Sequence, residues 1–201
     1  MTKSPLFDYV GGAGIVTDLT IDSSCTFAFD LSDGAENYTS FVGYHKGILK
    51  NCHNNADIAI DNAEITAGIN VGGLVGRCTE GTIEDCTMNG KMSFGTGFST
   101  TEDIYVGGIV GNVTNEQGVV KHSALNGSID WKGSVVDVYE KESAVSSYKV
   151  LFLGGIAGRI TGRIEYCTVS ADGENVVINI VGENTSAFRT NVGGIVGIVE
   201  G

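Results

Sequence analysis

The residues best suited by type to do chemistry are a set of carboxylates, with three histidines and five cysteines. The carboxylates are Glu84, Asp85, Glu102, Asp103, Asp130, Asp137, Glu140 and Glu142. Paired acids of this kind serve glycoside cleavage or calcium binding, and cleavage needs two carboxyls facing one another across a sugar. No pair here is brought together by repeat position. Glu84 and Asp85 are adjacent in a strand-like run, so alternation points them to opposite faces, wrong for a shared proton or ion. His45, His53 and His122 share no repeat position. Zinc wants Cys and His in convergent sets, whereas Cys52 and His53 are neighbours expected on opposite faces of a strand. Metal and cofactor are therefore not expected. Gly72–Arg77, GGLVGR, lacks the Gly-Lys-Ser/Thr ending of a phosphate loop. The Asn-x-Ser/Thr triplets at Asn37, Asn112 and Asn184 are expected by chance in a chain this rich in Asn and Thr.

The elements that would have to position these groups are repeats. Gly-Gly-apolar-apolar-Gly occurs at Gly72–Gly76, Gly107–Gly111, Gly154–Gly158 and Gly193–Gly197. A second half, Gly-x-apolar-x-x-Cys, occurs at Gly47–Cys52, Gly81–Cys86 and Gly162–Cys167, with Ser123 closing the copy that starts at Gly118. Its opening glycines stand at 14, 47, 81, 118 and 162, with Gly201 as a sixth, giving intervals of 33, 34, 37, 44 and 39. Fixed-spacing self-similarity marks a stacked repeat. Helical spacing is absent, and short runs of Val, Ile and Phe bounded by Gly, Asn and Asp read as strands. Each repeat parses into three strand regions, around VGGLVG, TIEDCTM and KMSF, with Asn89–Gly90 and Asn126–Gly127 suited to tight corners.

Aligning the repeats on Leu19, Cys52, Cys86, Ser123 and Cys167 gives apolar columns. Three residues before lie Val16, Leu49, Ile83, Val120 and Ile164. Two after lie Ile21, Asn54, Met88, Leu125 and Val169, with Asn54 the exception. Six after lie Cys25, Ile58, Met92 and Ile129, and eight after lie Phe27, Ile60, Phe94 and Trp131. Val176 and Ile178 join these rows if the last repeat carries about three extra residues. Constant columns imply inward ladders. The expected core therefore includes Ile83, Cys86, Met88, Met92, Phe94, Ile129, Trp131, Ile164 and Cys167. Cys in such a column acts as a small hydrophobe. A disulfide between stacked neighbours has a feasible Cα separation but parallel side-chain directions, and is not expected. Asp22, Asn55, Asn89, Asn126 and Ser170, three after the Cys position, suit a hydrogen-bonded ladder. The fold class expected is all-β, a parallel β-helix or β-solenoid of about five three-strand coils of 33 to 44 residues. Crossover preference makes it right-handed. A propeller or sandwich fits less well, since a blade needs four strands.

Composition limits the partners. The 201 residues carry a net charge of −12, with only 12 Lys and Arg. Such a surface repels nucleic acid and anionic lipid. No apolar run is long enough to span a membrane, and MTKSPLFDY lacks the apolar core of a secretory signal. The chain reads as a single repeat domain and as a piece of a longer protein with further domains. At Gly193–Gly201 a repeat stops where its second half should begin, without the polar cap of a solenoid end.

The Gly-Leu-Val-Gly and Gly-Ile-Val-Gly segments followed by Gly-x-Ile-x-x-Cys resemble the bacterial GLUG repeat. The resemblance covers residues 39–201 well and 9–38, an opening coil, weakly. It implies a secreted or surface-displayed bacterial protein, extracellular or on the cell surface, with an adhesin-like role. Similar repeats occur in bacterial immunoglobulin A peptidases beside a separate protease domain. No His-Glu-x-x-His motif is present to carry that activity over.

Specificity is expected where repeat length varies, between the third strand region and the next Gly-Gly. Those stretches are Asp30–Thr39, Asp61–Asn70, Gly95–Asp103, Gly133–Tyr148 and Gly182–Asn191. Insertions at one point of every coil emerge along one edge, commonly the binding side. The candidate binding residues on that edge are Glu102, Asp103, Asp137, Tyr139, Glu140, Tyr148 and Arg189. The function expected is a non-catalytic spacer or adhesion module whose partner is a host protein or glycan. The alternative is a carbohydrate-active β-helix enzyme, or the non-catalytic part of a secreted protease.

Overall fold

The computed structural model describes residues 4–29, 36–60, 64–65, 68–95, 99–100, 102–132, 134–135, 150–170, 178–180 and 189–200. Among them there is no helix, and every strand pairing is parallel. The chain is a β-solenoid in which each coil lies on the next in register.

The three strand regions of a repeat resolve into five strands. VGGLVG divides at its glycines into Ile69–Gly72 and Val75–Cys78. TIEDCTM divides into Thr82–Glu84 and Thr87–Met88, because Asp85 turns the chain with φ of 53°. Lys91–Phe94 forms the fifth. A sixth pairing, with no counterpart among the three strand regions, runs through the variable stretches as Glu64–Ile65, Ser99–Thr100 and Ser134–Val135.

Five long faces follow from this. The first stacks Asn37–Thr39, Ile69–Gly72, Ile104–Gly107, Val150–Gly154 and Arg189–Gly193. The second has six strands, from Phe7–Val10 through Val42–His45, Val75–Cys78, Val110–Val113 and Ala157–Ile160 to Val196–Val199. The third carries Ile15–Thr17, Ile48–Lys50, Thr82–Glu84, Val119–Lys121 and Arg163–Glu165. The fourth and fifth hold the strands through Met88 and through Phe94.

The core is the set of inward columns. Val16, Leu49, Ile83, Val120 and Ile164 are successive register partners. Ile83, Cys86, Met88, Met92, Phe94, Ile129 and Trp131 are buried, and Ile164 and Cys167 pack half-buried against them. Asn54, the polar residue in an apolar column, is fully buried and satisfied. Its Oδ1 accepts from the Ala56 N–H at 2.9 Å and its Nδ2 lies 3.1 Å from Met88 Sδ.

Two register readings are corrected. Cys25 is exposed, and Phe27 and Phe29 stand opposite Ile58 and Ile60. The cause is a longer corner in the first coil. There Asp22 accepts from the N–H of Ser24 through its side chain and of Cys25 through its carbonyl, which adds two residues before the strand. In the last coil Ile178 and Ile180 stand opposite Ile129 and Trp131, so the shift is two residues beyond the expected rows. Val176 lies outside the described residues.

From Asn55 to Ser170 the corner side chains form the ladder their spacing suggests, while the Asp22 side chain bonds within its own corner. Asn89 Nδ2 donates to Asn55 Oδ1 at 2.6 Å, Asn126 Nδ2 to Asn89 Oδ1 at 2.9 Å, and Ser170 Oγ to Asn126 Oδ1 at 3.0 Å. The thiols have a local role as well. Cys52, Cys86 and Cys167 each donate to the carbonyl two residues back, at 3.3, 3.1 and 3.5 Å, and Ser123 does the same at 3.0 Å. Cys and Ser are thus interchangeable caps on one kind of corner. All five cysteines are free.

Inside the second face His45 is fully buried, its Nε2–H donating to the Thr82 carbonyl at 3.2 Å. Its Nδ1 has no partner, and burial holds the imidazole below its ordinary pKa. The register partner on the next coil is Cys78, whose thiol burial pushes up to about 12. The unfolded chain takes a proton near pH 6.5 and the folded one resists it. Stability is therefore complete above that pH and falls below it, by up to about 1.4 kcal/mol per pH unit. Urea titrations at pH 7, 6 and 5 are expected to lose this stability in the native chain and to lose less of it in His45→Leu. Equal losses in both would show that His45 is not the group responsible.

Candidate functional site: the polar corner between the third and fourth faces

At the corner after the third face, Asp18, Asn51, Asp85, His122 and Tyr166 all adopt the left-handed conformation, with φ of 58°, 49°, 53°, 48° and 54°. Asn, Asp and His tolerate this region better than other non-glycine residues, since a short polar side chain can bond locally. The column stands one position before the Cys column. Apolar offsets do not reveal it, although short polar residues at a constant offset are visible in the sequence.

The side chains of this column and of its neighbour in the strand form a connected surface. Asn51 Nδ2 donates to Asp18 Oδ1 at 2.6 Å, and Thr17 Oγ1 donates to Asp18 Oδ2 at 2.8 Å. These two bonds hold the Asp18 carboxyl below its usual range. His53 Nε2 lies 3.1 Å from Asn51 Oδ1, and its Nδ1 lies 2.9 Å from Thr87 Oγ1. On the third face Lys50, Glu84 and Lys121 stack in alternating charge. Lys121 Nζ stands 3.2 Å from Glu84 Oε1 and Lys50 Nζ stands 3.5 Å from Glu84 Oε2. Lys50 also reaches Asp85 Oδ2 at 3.7 Å. Beyond them the His122 and Tyr166 rings lie 5.2 Å apart, and Tyr166 is 81% exposed.

The expectation that Glu84 and Asp85 diverge is therefore corrected. Glu84 ends the strand and Asp85 occupies the turn, so simple alternation fails and both carboxylates converge on Lys50. His122 joins them, its Nδ1 3.8 Å from Asp85 Oδ1. Ligand atoms of Glu84, Asp85 and His122 all lie within 4.8 Å of one another. Two ammonium groups already neutralise the two carboxylates, and a cation would have to displace Lys50. Acid catalysis fits Glu84 poorly too. A general acid must keep its proton near the working pH, whereas Lys121 and Lys50 hold this carboxyl below its usual range.

The candidate loop edge is only partly described. Asp103 ties three coils together, its Oδ1 accepting from the Val150 N–H at 2.9 Å and its carbonyl from the Ile69 N–H at 3.2 Å. Glu102 beside it is half-buried. Arg189 opens the strand Arg189–Gly193, and its side chain lies outside the described set. Asp137, Tyr139, Glu140, Tyr148 and Glu142 also lie outside the described residues. Of the remaining acids Asp130 pairs with Lys91. Among the sequon asparagines Asn112 is buried, donating to Asn70 Oδ1 at 3.0 Å, and Asn37 accepts from Asn70 at 3.0 Å.

The fold and its polar corner define a parallel β-solenoid repeat protein. No family model matches the chain, and neither a curated protein nor a solved structure matches it. The likeness to GLUG repeats thus rests on the motifs quoted above. No helix among the described residues is long and apolar enough to cross a membrane.

Proposed function

We propose that this chain is a non-catalytic repeat module of a secreted or surface-displayed bacterial protein, acting as a rigid spacer and an adhesion surface. The observation that supports it most is the contrast between the two sides of the corner. Inward, the columns repeat one chemistry, and the backbone takes the same left-handed turn in each coil. Outward, the residue on that turn changes from Asp to Asn, Asp, His and Tyr. A constant scaffold that displays varied polar and aromatic groups is how repeat proteins build extended binding surfaces.

The competing reading is a carbohydrate-active enzyme working through Glu84, Asp85 and His122. A glycan and host-protein binding screen followed by a reducing-sugar assay separates the two. Retention of a ligand without release of reducing ends is the expected result. Release of reducing ends that disappears in Glu84→Gln would overturn the proposal in favour of the enzyme.

A further inference from the structure

The second face carries, on its first three strands, an aromatic and cationic patch away from the polar corner. Tyr9, Tyr44 and Arg77 are successive register partners. The Tyr9 and Tyr44 rings stack with centroids 5.6 Å apart and planes at 21°. The Arg77 guanidinium carbon lies 5.6 Å from the Tyr44 ring centre and Lys46 Nζ lies 5.8 Å from it. Tyr9 is 59% exposed, and Tyr44, Lys46 and Arg77 are half-buried.

The unusual feature is the charge. The chain holds 24 acids against 12 Lys and Arg, yet no carboxylate among the described residues pairs with Lys46 or Arg77. Arg77 Nε is buried without a hydrogen-bond partner, as is Arg159 Nε, so the two differ in the charge beside them. Arg159 makes a similar contact further along, 5.6 Å from the Tyr105 ring, and there Glu200 neutralises it. The same stacking is thus neutralised in one place and, among the described residues, not in the other. A half-buried guanidinium gains most from a carboxylate, which its planar fork binds through two parallel bonds. Lys46 supplies a second charge close to the Tyr44 ring, and the exposed Tyr9 ring offers a flat apolar surface.

We propose that Tyr9, Tyr44, Lys46 and Arg77 form a binding site for a sugar ring that bears one carboxylate. The ring stacks on the tyrosines while Arg77 and Lys46 take the acid group. The net charge of −12 narrows the class further. Its field opposes a polyanion along its whole length but a single localised charge much less. An acidic sugar at the end of a glycan therefore fits better than a nucleic acid or a polymer of uronic acids. This inference rests on the adhesion reading and names its ligand class.

The test is NMR titration of the whole chain with methyl glucuronide and with the methyl glycoside of N-acetylneuraminic acid. Methyl glucoside and a glutamate-rich peptide serve as controls. At least one acidic sugar is expected to bind with Kd between about 1 μM and 1 mM, shifting Tyr9 and Tyr44 signals and weakening with added salt. Arg77→Gln should weaken it at least about tenfold, the scale expected for a lost charge-assisted pair. Arg77→Lys should restore part of the loss, and Lys46→Gln gives an independent reading should Arg77→Gln fail to fold. Equal binding of methyl glucoside, tighter binding of the peptide, or acidic-sugar binding indifferent to the Arg77 and Lys46 changes would each overturn the site. A glycan or host protein bound elsewhere, with no acidic sugar on this patch, sinks the site and leaves the adhesion reading standing. Binding of nothing in the broader screen sinks both.

Discussion

Phe94→Asp is expected to abolish cooperative folding. Phe94 is 1% exposed and its ring lies 4.7 Å from that of Trp131, its partner on the next coil. Ile60 is the partner on the preceding coil, so the site is closed above and below by apolar side chains. Truncating a buried Phe to Ala costs about 3–5 kcal/mol in lost burial and cavity formation. Aspartate adds the cost of burying an ionised or forcibly protonated carboxyl between the Trp131 ring and Ile60, several kcal/mol more. A domain with a total stability of about 5–15 kcal/mol does not survive that sum. The variant should be insoluble, or soluble without a thermal transition by circular dichroism. Phe94→Leu, which keeps an apolar side chain in the column, should fold with a lowered Tm. A soluble Phe94→Asp protein with an unchanged melting curve would show that the column does not face inward.

The fold was legible because two periodicities agree. Alternation along Lys91–Phe94 puts Met92 and Phe94 on one side, and the repeat interval puts Ile58, Ile60, Ile129 and Trp131 on the same side. Either signal alone is weak, and together they fix face and rung. Corners were harder, since counting residues cannot show how many of them a turn consumes. Asp22–Cys25 uses two more than Asn89–Gly90, which moved Cys25 out of the core and Phe27 and Phe29 in. The polar corner was hidden by the same ambiguity. Alternation holds only within a strand, and Asp85 leaves the strand through a left-handed turn, so its meeting with Glu84 was hidden, although Asp85 and His122 share the position one before the Cys column. The Tyr44–Arg77 contact was hidden for a related reason: it joins neighbouring coils on an outward face, where the residue type changes from one coil to the next.

The second large effect concerns the Gly-Gly motif, whose cause is a stacking distance. A Cβ on Gly73 would stand 2.0 Å from the Gly108 carbonyl oxygen, one on Gly108 would stand 2.3 Å from that of Gly155, and one on Gly155 the same distance from that of Gly194. Each second glycine therefore gives up its side chain so that the next coil can settle on it. On its other side the Gly108 position meets Leu125 Cδ2 at 2.8 Å, so the obstruction is backbone and core together. Gly108→Ala must push two coils apart in a stack whose coils are hydrogen-bonded on every face. Overpacking of this kind costs about 1–3 kcal/mol where side chains can yield, and a carbonyl fixed in a ladder yields less. A loss of about 3 kcal/mol or more is expected, lowering Tm by roughly 6–12 °C for a chain of this size. Gly194 supplies the control within the same column, because nothing lies within 4 Å of the Cβ it would carry. Gly194→Ala should change Tm by no more than about 2 °C, as for an ordinary surface substitution. Parallel thermal melts of the two variants decide the matter: equal and small shifts would mean that the close approach of coils does not require glycine at position 108.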